Sequence, residues 1–166
     1  TAEWSIGSWN EKLQEYWTSP VYAEPNSTIV TNFWANRNYQ RLPYLRGMMF
    51  AALVEHRIRE ATNGQRDLDD VFRLMLDNEA HDHAIAAFLP LVATVSGLDL
   101  SDEFRRHIIE GQPVEIPAGA FGACGEVVSF EQPVFVYVIT WADRNDDGDQ
   151  FLESVEPGSN AEAAGF

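Results

Sequence analysis

Residues 39–64 narrow most what this chain can fold into, because they read as one long helix punctuated at both ends. Pro43 suits a first helical position, where its missing N–H costs nothing. Asn63-Gly64 readily takes the left-handed turn that closes a helix. Between them, Leu45, Met48, Met49, Ala52 and Leu53 recur at i, i+3, i+4, i+7 and i+8, one apolar face of an α-helix. Phe50 and Val54 widen that face until the first half of the helix is apolar nearly all round. Such a helix belongs in the middle of a domain. From Glu55 to Glu60 it turns polar and is expected to run out towards solvent.

The flanking segments supply partners for it. Ser8 is placed to cap a helix with Trp9, Leu13, Tyr16 and Trp17 on one face, ended by Thr18-Ser19-Pro20. Residues 21–26 form a connector. Asn26 or Ser27 can cap a segment over 28–36, whose β-branched residues leave helix and strand both open. Asn36-Arg37-Asn38 reads as a turn. Asp67 caps a predicted helix over 68–76, with Leu68, Val71, Phe72, Met75 and Leu76 on one side and Asp69 and Asp70 at its positive end. A helical pattern over 81–95 contains Pro90, expected to kink or split it before Ser96-Gly97. Ser101 starts a short helix ending at Gly111.

After Gln112 the pattern changes. Residues 113–125 are rich in Pro, Gly and Ala, as in a linker or a loop wrapped against helices. Runs at 127–130, 134–141 and 151–155 are β-branched and aromatic, hence predicted strands. The expected fold is mainly α: a bundle-like helical domain over 1–112, a linker over 113–125, and a β-rich segment over 126–166.

A hydrophobic fraction of 45% supports a packed core, and a formal charge of -15 argues against general nucleic-acid binding, since phosphate is repelled by such a surface. The single cysteine, Cys124, rules out an intramolecular disulfide and a cysteine-rich zinc site; among small residues it is expected to be buried. No apolar run reaches the length of a membrane span, and no basic-then-apolar leader opens the chain. The chain begins at Thr1 in folded-looking sequence, so it is expected to be a piece of a longer protein, and compartment is unread.

Side chains that could carry chemistry are few. His81-Asp82-His83 can ligate a metal from a strand or loop, but in a helix i and i+2 diverge, and Asp82 also serves to begin one. His56 and His107 stand alone. Asp143, Asn145 and Asp147, followed by Gly148, match the first half of a calcium loop. The expected glutamate comes one place early, at Glu153, and an acidic turn between strands accounts for the same residues. There is no His-Glu-x-x-His, Gly-x-Ser-x-Gly or phosphate-cradling glycine loop. Tyr39 and Tyr44 flank Pro43. A tyrosine hydroxyl there could donate to a developing oxyanion or belong to the core.

Pro43-Tyr44-Leu45-Arg46-Gly47, the apolar helix, Arg57-Ile58-Arg59, Thr62-Asn63-Gly64 and Leu68-Asp69-Asp70-Val71 follow in order. Together with 96–101 and Phe104 they resemble the C-terminal half of the glycyl aminopeptidase family of zinc peptidases, over about residues 5–112. Val155-Glu156-Pro157-Gly158-Ser159 and the residues after it resemble the strand-to-helix passage of a PDZ domain, with Asn160 in place of the usual proline. The resemblance implies a gluzincin-like metallopeptidase that cleaves N-terminal residues from a peptide substrate. Its zinc ligands and general-base glutamate are expected upstream, with none in this chain. It further implies that Tyr44 stabilises the tetrahedral intermediate, with Tyr39 as companion; Arg46 replaces the family's usual lysine. The isolated chain is expected to hold no zinc and to be inactive.

The alternative is a non-catalytic helical protein-interaction domain. The calcium reading is checked by thermal melting: binding at Asp143, Asn145 and Asp147 raises Tm in millimolar calcium, and an unchanged Tm disposes of it.

Overall fold

The long helix exists, and it begins earlier than the proline suggests. In the computed structural model, which describes residues 2–77, 84–129, 139–141, 152–155 and 160–165, α3 spans Arg37–Ala61. Its cap is Asn36, whose Oδ1 accepts the N–H groups of Asn38 at 2.9 Å and Tyr39 at 3.3 Å. Pro43 is therefore an interior proline, seven residues in. Capping by Asn36 and burial of Leu42, which has no exposed surface, favour helix ahead of the proline despite the bond it removes. The far end matches the expected punctuation. Asn63 and Gly64 have φ of 51° and 73°, and Gly64 N–H donates to the Arg59 carbonyl at 2.8 Å.

The chain divides into two compact units, Thr1–Val128 and Ser129–Phe166. In the first, α3 touches α1 (Ala2–Thr18), α2 (Asn26–Asn32), α4 (Leu68–Asp77) and α5 (Ala84–Ser96). It also touches the π-helical turn Arg105–Ile109, into which the short α6 (Ser101–Phe104) runs directly. Leu42, Leu45, Met49, Phe50, Leu53, Val54 and Ile58 of α3 form the core with Tyr16, Ile29, Val71, Val92, Leu100 and Val114. Each fully buried aliphatic or methionine side chain contributes about 1.5–3 kcal/mol relative to exposure.

Several expectations are corrected. α1 starts well before Ser8, and of its expected face only Tyr16 is fully buried while Trp17 is exposed. Residues 26–32 are a helix, because Ile29 reaches the core from there, and it begins behind Pro25 without a side-chain cap. The polar half of α3 is not ordinary surface. Ile58 is fully buried, and Glu55 Oε2 accepts the first N–H of α4, from Leu68, at 2.6 Å. α4 is further capped reciprocally: Asp67 Oδ1 accepts from Asp70 N–H, and Asp70 Oδ2 accepts from Asp67 N–H. It buries a narrower stripe than predicted, with Phe72 and Leu76 left exposed. α5 runs unbroken through Pro90.

Residues 113–125 carry no regular structure except a 3-10 turn at Gly122–Cys124, yet Val114 and Ala120 are buried. Cys124 is exposed, contrary to expectation, because the small residues around it form a surface turn rather than core. Residues 127–129 are not a strand. In the second unit, β1 (Ile139–Trp141) pairs antiparallel with β2 (Leu152–Val155), with an irregularity between Thr140 and Trp141, and α7 spans Asn160–Ala163. The described residues are thus mainly helical. Among them no helix is long and apolar enough to cross a membrane.

Gly111 has φ of 81°, and a Cβ built there would sit 2.6 Å from the Glu24 carbonyl carbon and 2.8 Å from the Ala23 oxygen. Gly64 shares the positive φ, but no atom lies within 4 Å of its Cβ position. Gly111→Ala is therefore expected to cost more than about 2 kcal/mol and Gly64→Ala only about 1 kcal/mol, compared by urea unfolding midpoints.

Candidate functional site

The first half of α3 carries both tyrosines singled out from the sequence, and the helix separates them. Five residues correspond to about 140° of rotation, so Tyr39 and Tyr44 cannot share a face. Tyr39 is half-buried and packs against the core, and its N–H is bound by the Asn36 cap. Tyr44 is 72% exposed, so the turn that carries it is not buried as a whole. Its hydroxyl has no hydrogen-bond partner among the described residues. Gly47 and Ala51 lie three and seven residues on, along the same strip, and no atom stands within 4 Å of the Cβ position of Gly47. The helix surface on the C-terminal side of Tyr44 is therefore low in side-chain cover at Gly47.

Beside this strip, Arg41 and Glu15 join α3 to α1. Arg41 Nε donates to Glu15 Oε1 at 2.6 Å and Nη2 to Oε2 at 2.7 Å, a bidentate pair, and Lys12 adds a third donor at 3.0 Å. The hydrogen bonds from Arg41, opposed by partial desolvation and assisted by Lys12, hold the Glu15 carboxyl at about 2 rather than 4.5.

On the other side of the helix lies a residue whose role sequence reasoning missed. Arg46 is 2% exposed, the only charged side chain buried among the described residues. Its Nη2 donates to the carbonyls of Tyr22 at 3.0 Å and Glu24 at 2.6 Å, in the connector between α1 and α2. Among the described residues Nε and Nη1 have no hydrogen-bond partner, though both are buried. Burial lowers its pKa, while the nearby Tyr16 hydroxyl and Glu24 favour the charged form. An arginine remains protonated regardless. The Tyr16 phenol is raised by burial and in turn accepts the Val114 N–H at 3.1 Å. One signal was available: Arg46 lies four residues after Leu42 and three before Met49, inside the apolar stripe.

Metal chemistry finds no support in these residues. Among the described residues no group of three or more His, Cys, Asp or Glu is placed to hold a metal ion. His107 uses Nδ1 against the Gln112 carbonyl at 3.1 Å, and its ring lies near Phe50. His81, His83, Asp143, Asn145 and Asp147 lie outside the described residues. A zinc ion would need ligands from elsewhere. No family model matches this chain, and no curated protein matches it.

The Glu15 carboxyl titrates lower in the folded than in the unfolded chain. Its pair with Arg41 therefore stabilises in full above about pH 4.5 and loses that contribution as pH falls towards 2. Because both side chains are about a third exposed, Glu15→Gln is expected to cost only about 0.5–1 kcal/mol at pH 7. The difference from wild type should vanish towards pH 2 in denaturant titrations run across that range.

Proposed function

We propose that this chain is the helical portion of a zinc-dependent aminopeptidase of the glycyl aminopeptidase family, forming one wall of the substrate cleft. The observation that supports the reading best is the placement of Tyr44. An otherwise core-forming helix turns one phenol outward, with no hydrogen-bond partner among the described residues and with the uncrowded position of Gly47 one turn further on. A hydroxyl so placed is free to donate to an oxyanion developing on a substrate carbonyl. Tyr39, packed on the core and bound to the Asn36 cap, holds the same turn rather than reaching substrate. In this reading, which follows the family resemblance, the metal and its ligands belong to the remainder of the enzyme. The pair β1–β2 followed by α7 supports reading the second unit as the start of a PDZ-like module.

A helical interaction domain is the second reading, and it has its own observation. Val30 is 68% and Trp34 is 85% exposed, with Phe33 edge-on to Trp34 at 5.0 Å between ring centroids. Exposed aromatics of this kind are typical of protein contact sites.

The full-length protein separates the two. Tyr44→Phe is expected to lower kcat for N-terminal glycyl or alanyl substrates about ten-fold or more, the scale of one lost oxyanion donor. Being exposed, the substitution should change stability by less than about 0.5 kcal/mol. An unchanged kcat would sink the catalytic role of Tyr44, and a full-length protein without hydrolytic activity would sink the peptidase reading and favour the interaction domain.

A further inference from the structure

Pro43 stands immediately before Tyr44 and removes the hydrogen bond that would otherwise run to the Tyr39 carbonyl. The turn that presents the phenol is thus the place where the backbone ladder of α3 is weakest. Two arginines bracket this gap, and they anchor to different parts of the molecule. Arg41, two residues before the proline, holds α1 through Glu15. Arg46, three residues after it, holds the 22–24 connector through two carbonyls.

The second anchor is the unusual one. A buried guanidinium whose Nε and Nη1 have no hydrogen-bond partner among the described residues carries a desolvation cost, only partly offset by the nearby Tyr16 hydroxyl, that an apolar side chain of similar length would avoid. What the guanidinium supplies is direction. Both of its bonds end on main-chain oxygens of a segment that Gly111 abuts with no room for a side chain. Arg46 and Tyr44 lie two residues apart, about 160° round the helix, so a grip on one side sets where the other points.

We infer that Arg46 is a positioning residue for Tyr44: it fixes the rotation of the first half of α3, and with it the direction of the phenol. This rests on the catalytic reading of Tyr44 given above. The pivot is the proline gap and the fixed point is the connector. Removing the grip allows the turn to rock without unfolding the helix, because Leu42, Leu45 and Met49 still anchor its core face.

A double-mutant cycle in the full-length enzyme tests this, with kcat and KM read on glycyl and alanyl p-nitroanilides. Arg46→Met is expected to lower kcat about five-fold or more while KM stays within about two-fold. In a Tyr44→Phe background the same substitution should cost less than about two-fold, since the group it positions is already gone. Arg46→Lys, which keeps the charge but not the planar fork, should fall between wild type and Arg46→Met and lose its effect in the same background. If Arg46→Met fails to fold, Arg46→Lys decides by that criterion alone. Losses that multiply in the double variant, or a fall in stability with kcat intact, overturn the positioning role and leave the catalytic reading standing. A silent Tyr44→Phe overturns both.

Discussion

A single positive charge, shut away from water, holds this helical unit in register. Arg46 emerges from the apolar face of α3 and spends one nitrogen on two carbonyls of the connector between α1 and α2. Around it the apolar packing is ordinary and would tolerate sliding, since dispersion and burial are not directional. The hydrogen bonds are directional. They tie the connector to the central helix at one place, Gly111 closes on the same carbonyl group, and Tyr16 reaches from α1 to the Val114 amide beside them. Four segments distant in sequence thus meet around one guanidinium.

This arrangement explains how a helix can both fill a core and expose one side at a fixed orientation. α3 contacts most of its unit along one side, and that side fixes its axis. A cylinder held only by apolar contacts is still free to roll slightly. The arginine contacts at positions 41 and 46 oppose such rolling from two directions, and they do so on either side of Pro43. The exposed strip at Tyr44 and Gly47 is consequently presented at a defined angle, whatever it faces.

Much of the architecture was legible in the residues, and the failures have specific causes. The apolar stripe of α3 and the Asn63-Gly64 stop follow from periodicity and from the cost of left-handed backbone for larger residues, which local sequence carries. The start of α3 did not, because proline is a signal about one hydrogen bond, and the Asn36 cap together with Leu42 burial outweighed it. The helical state of residues 26–32 was undecidable from β-branching, since Ile29 chooses its conformation by reaching the core. The tyrosines were visible as types, and their five-residue spacing already set them about 140° apart; which of the two meets the core depends on the elements packed around α3. Arg46 was hidden by habit of reading: charge on a helix suggests surface, and only its place in the stripe argued otherwise.

The bond from Val114 to Tyr16 has a further consequence, concerning the order of assembly. It joins residues 98 positions apart, whereas Glu55 and Leu68 are 13 apart and the Arg46 contacts span 22 and 24. Closing a long loop costs more chain entropy than closing a short one, though the cost rises only with the logarithm of length, and a lone hydrogen bond returns about 1 kcal/mol net. Tyr16 and Val114 therefore meet cheaply only after α3 has already drawn the connector and α4 around itself. The 113–125 segment then fastens last, as a strap over a nearly finished core, and by the same reasoning it is the first part to let go.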